Sequence, residues 1–351
     1  VTSRERILLA LNHKEADRVP IHDSPWATTV RRWRQEGLPE NVSPHQYFGY
    51  EITGFGADLS FQLPQQVVEE TDDSIIVRNA NGALVKNWKN ATSTPEMMDF
   101  TITTREKWEE YKPLLAWNDK RVNWDAVEHC RQLREQGQFV VFSAAFGYDK
   151  TQGIVGSERL LMALVEDPEW CRDMFETASD MVIQAGEEMM ARGFEFDGAW
   201  VYDDNGYRNG TLFSPRCYRE TLFNAHKRVC DFLHSKGLKV ILHSCGCVKD
   251  RVPDFIEAGF DCLQPLEVKA GMDLIDLKKK YGDRMAFMGG IDVRKMADPD
   301  PNVIEAEIRD KITFAKQGGG YIYHSDHSVP DNVSFSQYCR VMELVEKYGK
   351  Y

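Results

Sequence analysis

An α/β chain closing as a (β/α)8 TIM-type barrel is predicted by two observations. From Gln138 onward apolar strands alternate with helices, and the carboxyl ends of those strands collect polar residues while their amino ends lie in plain turns. Six or more strand-helix units imply a parallel sheet, and their number favours a closed barrel over an open doubly wound sheet. At 351 residues the chain suits a single barrel domain over 1–351 with an N-terminal helical segment and an inserted β-hairpin.

The elements follow in order. Thr2 and Glu5 have capping-box spacing, and Ile7, Leu8 and Leu11 then mark one apolar helical face. RVPIH is a short strand ending at His22 and Asp23, and Ser24-Pro25 starts a helix. SIIVRNANGALVKNW places β-branched runs on either side of Asn81-Gly82, which predicts an antiparallel flap over about 72–89, closed by a type I′ turn. Residues 139–145 form a strand, followed by helices at 157–165 and 168–191; residues 196–202 form the next strand, ending in Asp203 and Asp204. Ser214-Pro215 starts a helix running to 234. The strand 238–242 then delivers His243, Ser244, Cys245, Gly246 and Cys247. A helix over 249–258, a strand at 261–264 and a helix at 273–280 lead to 286–288 with Gly289-Gly290-Ile291-Asp292. The last strand, 321–323, is followed by His324, Asp326 and His327.

Composition narrows the function. With 42% hydrophobic and 28% charged residues the chain is ordinary for a globular protein, and a formal charge of −12 argues against nucleic acid or an anionic membrane as partner. No run of about 18 apolar residues occurs, and 1–14 is amphipathic and charged rather than a signal peptide, so the expected location is the cytoplasm. Eight dispersed cysteines make no disulfide framework. No strand is followed by G-x-G-x-x-G and no phosphate-binding G-x-x-x-x-G-K-[ST] occurs.

The chemistry centres on His243-x-Cys245. Alternate residues of an extended chain share a face, so this pair points one way, and Cys247 joins it only if the chain stays extended past Gly246. Imidazole and thiolate together suit zinc. Taken alone, the pair has a second reading as a buried thiol beside a core histidine; its place at a strand's carboxyl end, where barrel active sites lie, favours the metal. Asp203 and Asp204 double as helix caps, Glu267 as a solvated carboxylate and His324 as an exposed imidazole.

ERILLALNHKEADRVP, the Asp203-Asp204 pair ahead of Ser214-Pro215, HSCG, PLEVKAGMD, GGID and SDHSVPDNVS together resemble the uroporphyrinogen decarboxylase superfamily, over nearly the whole chain. The resemblance implies a (β/α)8 barrel and one of two activities. True decarboxylases hold substrate carboxylates with a PxWxMRQAGR-type segment; here the corresponding stretch reads HDSPWATTVRRWRQ, with Arg31, Arg32 and Arg34 on a helix instead. Zinc methyltransferases that serve corrinoid proteins carry H-x-C and a third, distant ligand near the last strand, commonly cysteine. No cysteine stands there in this chain; His327 is nearest, with His324 beside it.

The expected function is a zinc-dependent methyltransferase moving a methyl group from a small, methoxylated aromatic substrate to the cob(I)alamin of a separate corrinoid protein. His243, Cys245 and His327 would hold Zn²⁺, and Asp203, Asp204 and Glu267 would serve catalysis, Glu267 also standing as a fourth ligand. His22, Trp26, Phe142, Phe146, Tyr148, Tyr202 and His324 would line the substrate pocket. Alternatives are a metal-free uroporphyrinogen-type decarboxylase and a non-catalytic zinc-binding barrel. A homodimer stays open.

Overall fold

The computed structural model describes residues 1–91 and 93–351. Seven parallel strands lie side by side in the order Ile52–Phe55, Phe139–Ala145, Gly198–Tyr202, Lys239–His243, Cys262–Gln264, Ala286–Met288 and Tyr321–Ile322. The extended segment 19–22 fills the remaining gap. It bridges Tyr323 in parallel through Ile21, and the Ile21 carbonyl accepts the Glu51 N–H at 2.9 Å on the other side. The sheet therefore curls into a TIM-type barrel whose first staves hold by a few bonds only, Pro20 having no N–H to give.

Alternation along the staves separates two cores. Phe139, Val141, Trp200, Ile241, Cys262, Met288 and Ile322 fill the barrel, where Ile7, Ala10 and Leu11 of the Ser3–Leu11 helix plug its amino end. Val140, Phe142, Val201, Leu242 and Phe287 face outward into the larger cluster under the helices. The plug helix begins with the capping box, Thr2 accepting from the Glu5 N–H and the Glu5 carboxylate accepting from the Thr2 N–H. Glu51, 1% exposed, binds both Arg6 and Arg18 at this end, so the carboxylate is neutralised there.

The stave Ile52–Phe55 carries no strand signal, because Gly54 interrupts it. A Cβ at Gly54 would come within 2.4 Å of Ser143 Oγ, so any larger residue there would have to turn the Ser143 hydroxyl aside. The hairpin around Asn81-Gly82 belongs to a larger antiparallel sheet of Gln66–Glu70, Ser74–Arg78, Leu84–Trp88 and Glu96–Asp99. Its turn differs from the type I′ expectation. Only Gly82 has positive φ, +77°, and the Gly82 N–H donates to Asn79 O at 2.9 Å while Asn79 Oδ1 accepts from Asn81 and Ala83, giving a longer loop that Asn79 organises. Among the described residues no helix is long and apolar enough to cross a membrane.

Candidate metal centre

His243 is the last residue of its stave and pairs laterally with Tyr202 and Gln264. With Ile241 inside the barrel, His243 points inward too, and its Nε2 stands 3.2 Å from Cys245 Sγ. The chain turns immediately afterward. Gly246 has φ +80°, and a Cβ there would meet the backbone of Gly206 at 2.4 Å. Cys247 is thereby carried out of the cluster: it is buried and donates its N–H to Tyr207 O at 2.8 Å.

Two groups of donor atoms, each within 4.8 Å of one another, share Cys245: Asp204 with His243, and Glu267 with His327. Asp204 Oδ1 accepts the Cys245 N–H at 2.7 Å and lies 3.6 Å from His243 Nε2. Glu267 Oε1 accepts the Gly246 N–H at 3.1 Å. Segments 22–26 and 324–329 are joined by backbone bonds, and buried Asp23 accepts from Tyr323, Tyr338 and Ser325, so His327 is held against the mouth with its ring stacked on Trp26 at 6.2 Å. His324 is in neither group. Its Nδ1 faces Ser325 O at 2.7 Å and its Nε2 faces Gln264.

Gln264, which the sequence reading did not single out, organises these imidazoles. Gln264 Oε1 lies 2.5 Å from His243 Nδ1, and Gln264 Nε2 lies 3.5 Å from His324 Nε2. One proton assignment satisfies the chain: His324 Nδ1–H donates to Ser325 O, Gln264 N–H to His324 Nε2, and His243 Nδ1–H to Gln264 Oε1. That leaves His243 Nε2 as a bare lone pair beside the Cys245 sulfur, the tautomer a metal ligand needs.

Burial raises the Cys245 thiol well above its ordinary range, and the neighbouring carboxylates of Asp204 and Glu267 add to this. Burial holds His327 below its ordinary range. Asp149 is pushed up to about 7, by burial first and Asp204 second. A divalent cation would relieve this crowding of sulfur and carboxylate, so the nitrogen, sulfur and oxygen donors present fit zinc.

Below the mouth lies a cavity of about 540 Å³, within the range for small ligands. Trp26, Tyr202, Trp200, His22, His324 and Ile52 are among its walls, and among the described residues its lining holds no arginine or lysine. A wider groove of about 1220 Å³, between Glu96–Asp99 and the helices Gly147–Val155 and Ser157–Glu166, shares Thr94 and Asp204 with it.

Four expected site residues lie elsewhere. Phe142 faces outward and packs on Phe196 at 5.6 Å, because its stave turns Val141 inward instead. Phe146 is buried against His226, and Tyr148 is buried against Phe213 with its hydroxyl 2.8 Å from Ser157 Oγ. Asp203, 0% exposed, faces away from the cavity; it accepts from the Asp149 N–H at 2.7 Å and sits 2.6 Å from His226 Nε2. Residues the sequence reading passed over, Trp200, His45 and Ser143, line the cavity with Gln264. The lateral pairing of His243 with Gln264 was the available signal for the last.

A model of the uroporphyrinogen decarboxylase (URO-D) family matches residues 82–348, well over half of the chain. The chain belongs to the uroporphyrinogen decarboxylase family. No curated protein matches it significantly. This family member shares its fold with a methyltransferase from Methanosarcina mazei, at TM-score 0.71 and 16% identity over 99% of each chain. An AP endonuclease of family 2 from Brucella melitensis superimposes at TM-score 0.37 and 14% identity, over 61% of this chain and 83% of that one.

Proposed function

We propose that this member of the family is a zinc-dependent methyltransferase that removes the methyl group of a small methoxylated aromatic and delivers it to the cob(I)alamin of a separate corrinoid protein. The observation that carries the reading is the pair of donor groups that share Cys245, Asp204 with His243 on one side and Glu267 with His327 on the other, at the mouth of an aromatic-walled cavity. Membership of the family and a fold shared with a methyltransferase support it.

Cys245, common to both donor groups, would hold the zinc with His243 from one and His327 from the other, the two imidazoles closing on the ion, and with Glu267 as a further donor. When bound, zinc supplies Lewis acidity at the departing ether oxygen. A donor set with a single thiolate leaves the ion harder than a set with two, which suits an ether oxygen better than a thiol. Trp26 and Tyr202 offer flat faces for an aromatic ring. When the methyl carbon leaves, the bonding pair stays on oxygen, and that oxygen then takes up a proton. Asp149, pushed up to about 7 and sharing the wider groove with Asp204, would supply that proton, passed on by the Asp204 carboxylate at the cavity. Asp203, being turned outward, supports Asp149 and His226 rather than the substrate. Decarboxylation of a polycarboxylate would need convergent cations, which the described lining lacks.

Metal analysis and methyl transfer from a methoxyphenol to cob(I)alamin test the proposal together. About one zinc per chain is expected, lost in Cys245→Ala and His327→Ala but kept in His324→Ala. Full transfer activity in metal-free protein would sink the zinc mechanism, and metal loss in His324→Ala alone would reverse the assignment of the third ligand.

A further inference from the structure

Tyr202 is level with His243 in the sheet, and Trp200 sits one layer deeper, where three imidazoles gather around it and its neighbours. The His22 ring lies 5.3 Å from Trp200, 6.1 Å from His324 and 6.3 Å from His45. Two of the three are already engaged. His324 is held at both nitrogens, by Ser325 O and Gln264, and His45 Nε2 faces Ile52 O at 3.1 Å. His22 is not. It is 9% exposed, and its Nδ1 is buried without a partner. Leaving such a group unpaired is unfavourable, and each instance in a folded protein asks for a partner.

We propose that His22 recognises a phenolic hydroxyl on the methoxylated aromatic, an inference that rests on the methyl-transfer reading above. A neutral imidazole offers a donor on one nitrogen and an acceptor on the other, pointing apart, and a hydroxyl, which can accept or donate, complements whichever of the two it meets. Burial, with His324 and His45 alongside, keeps His22 well below its ordinary range and hence uncharged near neutrality. An anionic substituent is disfavoured in the same cavity, since the charge of a bound zinc is met by the Cys245 thiolate with the Glu267 and Asp204 carboxylates and, among the described residues, the lining holds no arginine or lysine. The order of preference is therefore methoxyphenol, then methoxybenzene, then methoxybenzoate.

Calorimetric titration of the zinc-loaded protein decides this, with the three positional isomers of methoxyphenol, methoxybenzene and the three methoxybenzoates as probes. At least one methoxyphenol should bind about tenfold or more tightly than methoxybenzene, as expected where a site's polar group would otherwise stay unpaired. His22→Phe keeps a flat ring but no donor or acceptor and should bring the ratio to within about twofold, while His22→Asn should restore part of it. If no isomer outbinds methoxybenzene, if His22→Phe keeps the ratio, or if a methoxybenzoate binds best, the proposal is overturned. Should His22→Phe fail to fold, a His22→Asn protein indifferent to the hydroxyl overturns it equally. Binding needs no methyl transfer, so a preserved hydroxyl preference without transfer to cob(I)alamin would count against the catalytic reading and leave His22 in its role.

Discussion

Replacing Gln264 with leucine isolates what a residue outside the ligand set does for the metal. The amide is 2% exposed, and its Oε1 lies 2.5 Å from His243 Nδ1. Leucine keeps most of the volume but removes the acceptor, so the Nδ1–H loses its partner in a part-buried site and the bare Nε2 is no longer the enforced tautomer. An unpaired buried donor is unfavourable by about 1–3 kcal/mol. Loss of such an outer partner weakens metal binding by about 10- to 100-fold, or about 1.4 to 2.8 kcal/mol, which agrees. Gln264→Glu restores an acceptor at His243 while removing the N–H that faces His324, so its zinc affinity should stay within about tenfold of the parent. Competition against a chromophoric chelator measures all three proteins. If Gln264→Leu binds zinc as tightly as the parent, the proton assignment through Gln264 is wrong; if leucine and glutamate weaken it equally, the acceptor is not what matters.

Two further outcomes follow from the buried polar groups. Asp203→Ala leaves His226 Nε2 and the Asp149 N–H without their buried partner, at about 1–3 kcal/mol each, and should lower unfolding free energy by about 2–5 kcal/mol in urea denaturation; a loss under about 1 kcal/mol would show these bonds to be dispensable. Burial lowers the folded-state pKa of both His22 and His324, so the unfolded chain binds more protons below its own value of about 6.5. Their contribution to stability is thus complete above about pH 6.5 and declines as pH falls through it, by up to about 1.4 kcal/mol per pH unit for each. Denaturation midpoints measured across that range should fall less steeply for His22→Phe, and an unchanged slope would contradict the neutral burial of His22.

What the sequence showed and what it hid divide along one physical line. Repeating strand-helix units and polar strand ends were legible, because a parallel sheet covered on both faces reads as apolar runs whose carboxyl ends alone are open to chemistry. The same double coverage hides parity. With apolar residues on both faces, nothing in FVVFSAA says whether Val141 or Phe142 looks into the barrel, and the larger ring, the natural choice for a pocket wall, is the one turned outward. The stave at Ile52–Phe55 was hidden for a related reason, since Gly54, which weakens its signal, sits where the Ser143 hydroxyl takes up the space of a side chain.

One anchored residue resolves parity for its neighbours. Lateral partners in parallel staves share a face, so once His243 looks inward, Tyr202 and Gln264 must do so as well. From Tyr202 the alternation sends Asp203 outward to His226 and Asp204 back toward Cys245, which separates two adjacent aspartates that composition cannot tell apart. The argument also runs in reverse. A shift of register by one residue in the Lys239–His243 stave would exchange His243 for Leu242 at the cavity and turn the cluster's imidazole into the helix layer, so the metal centre depends on the same pairing that builds the core.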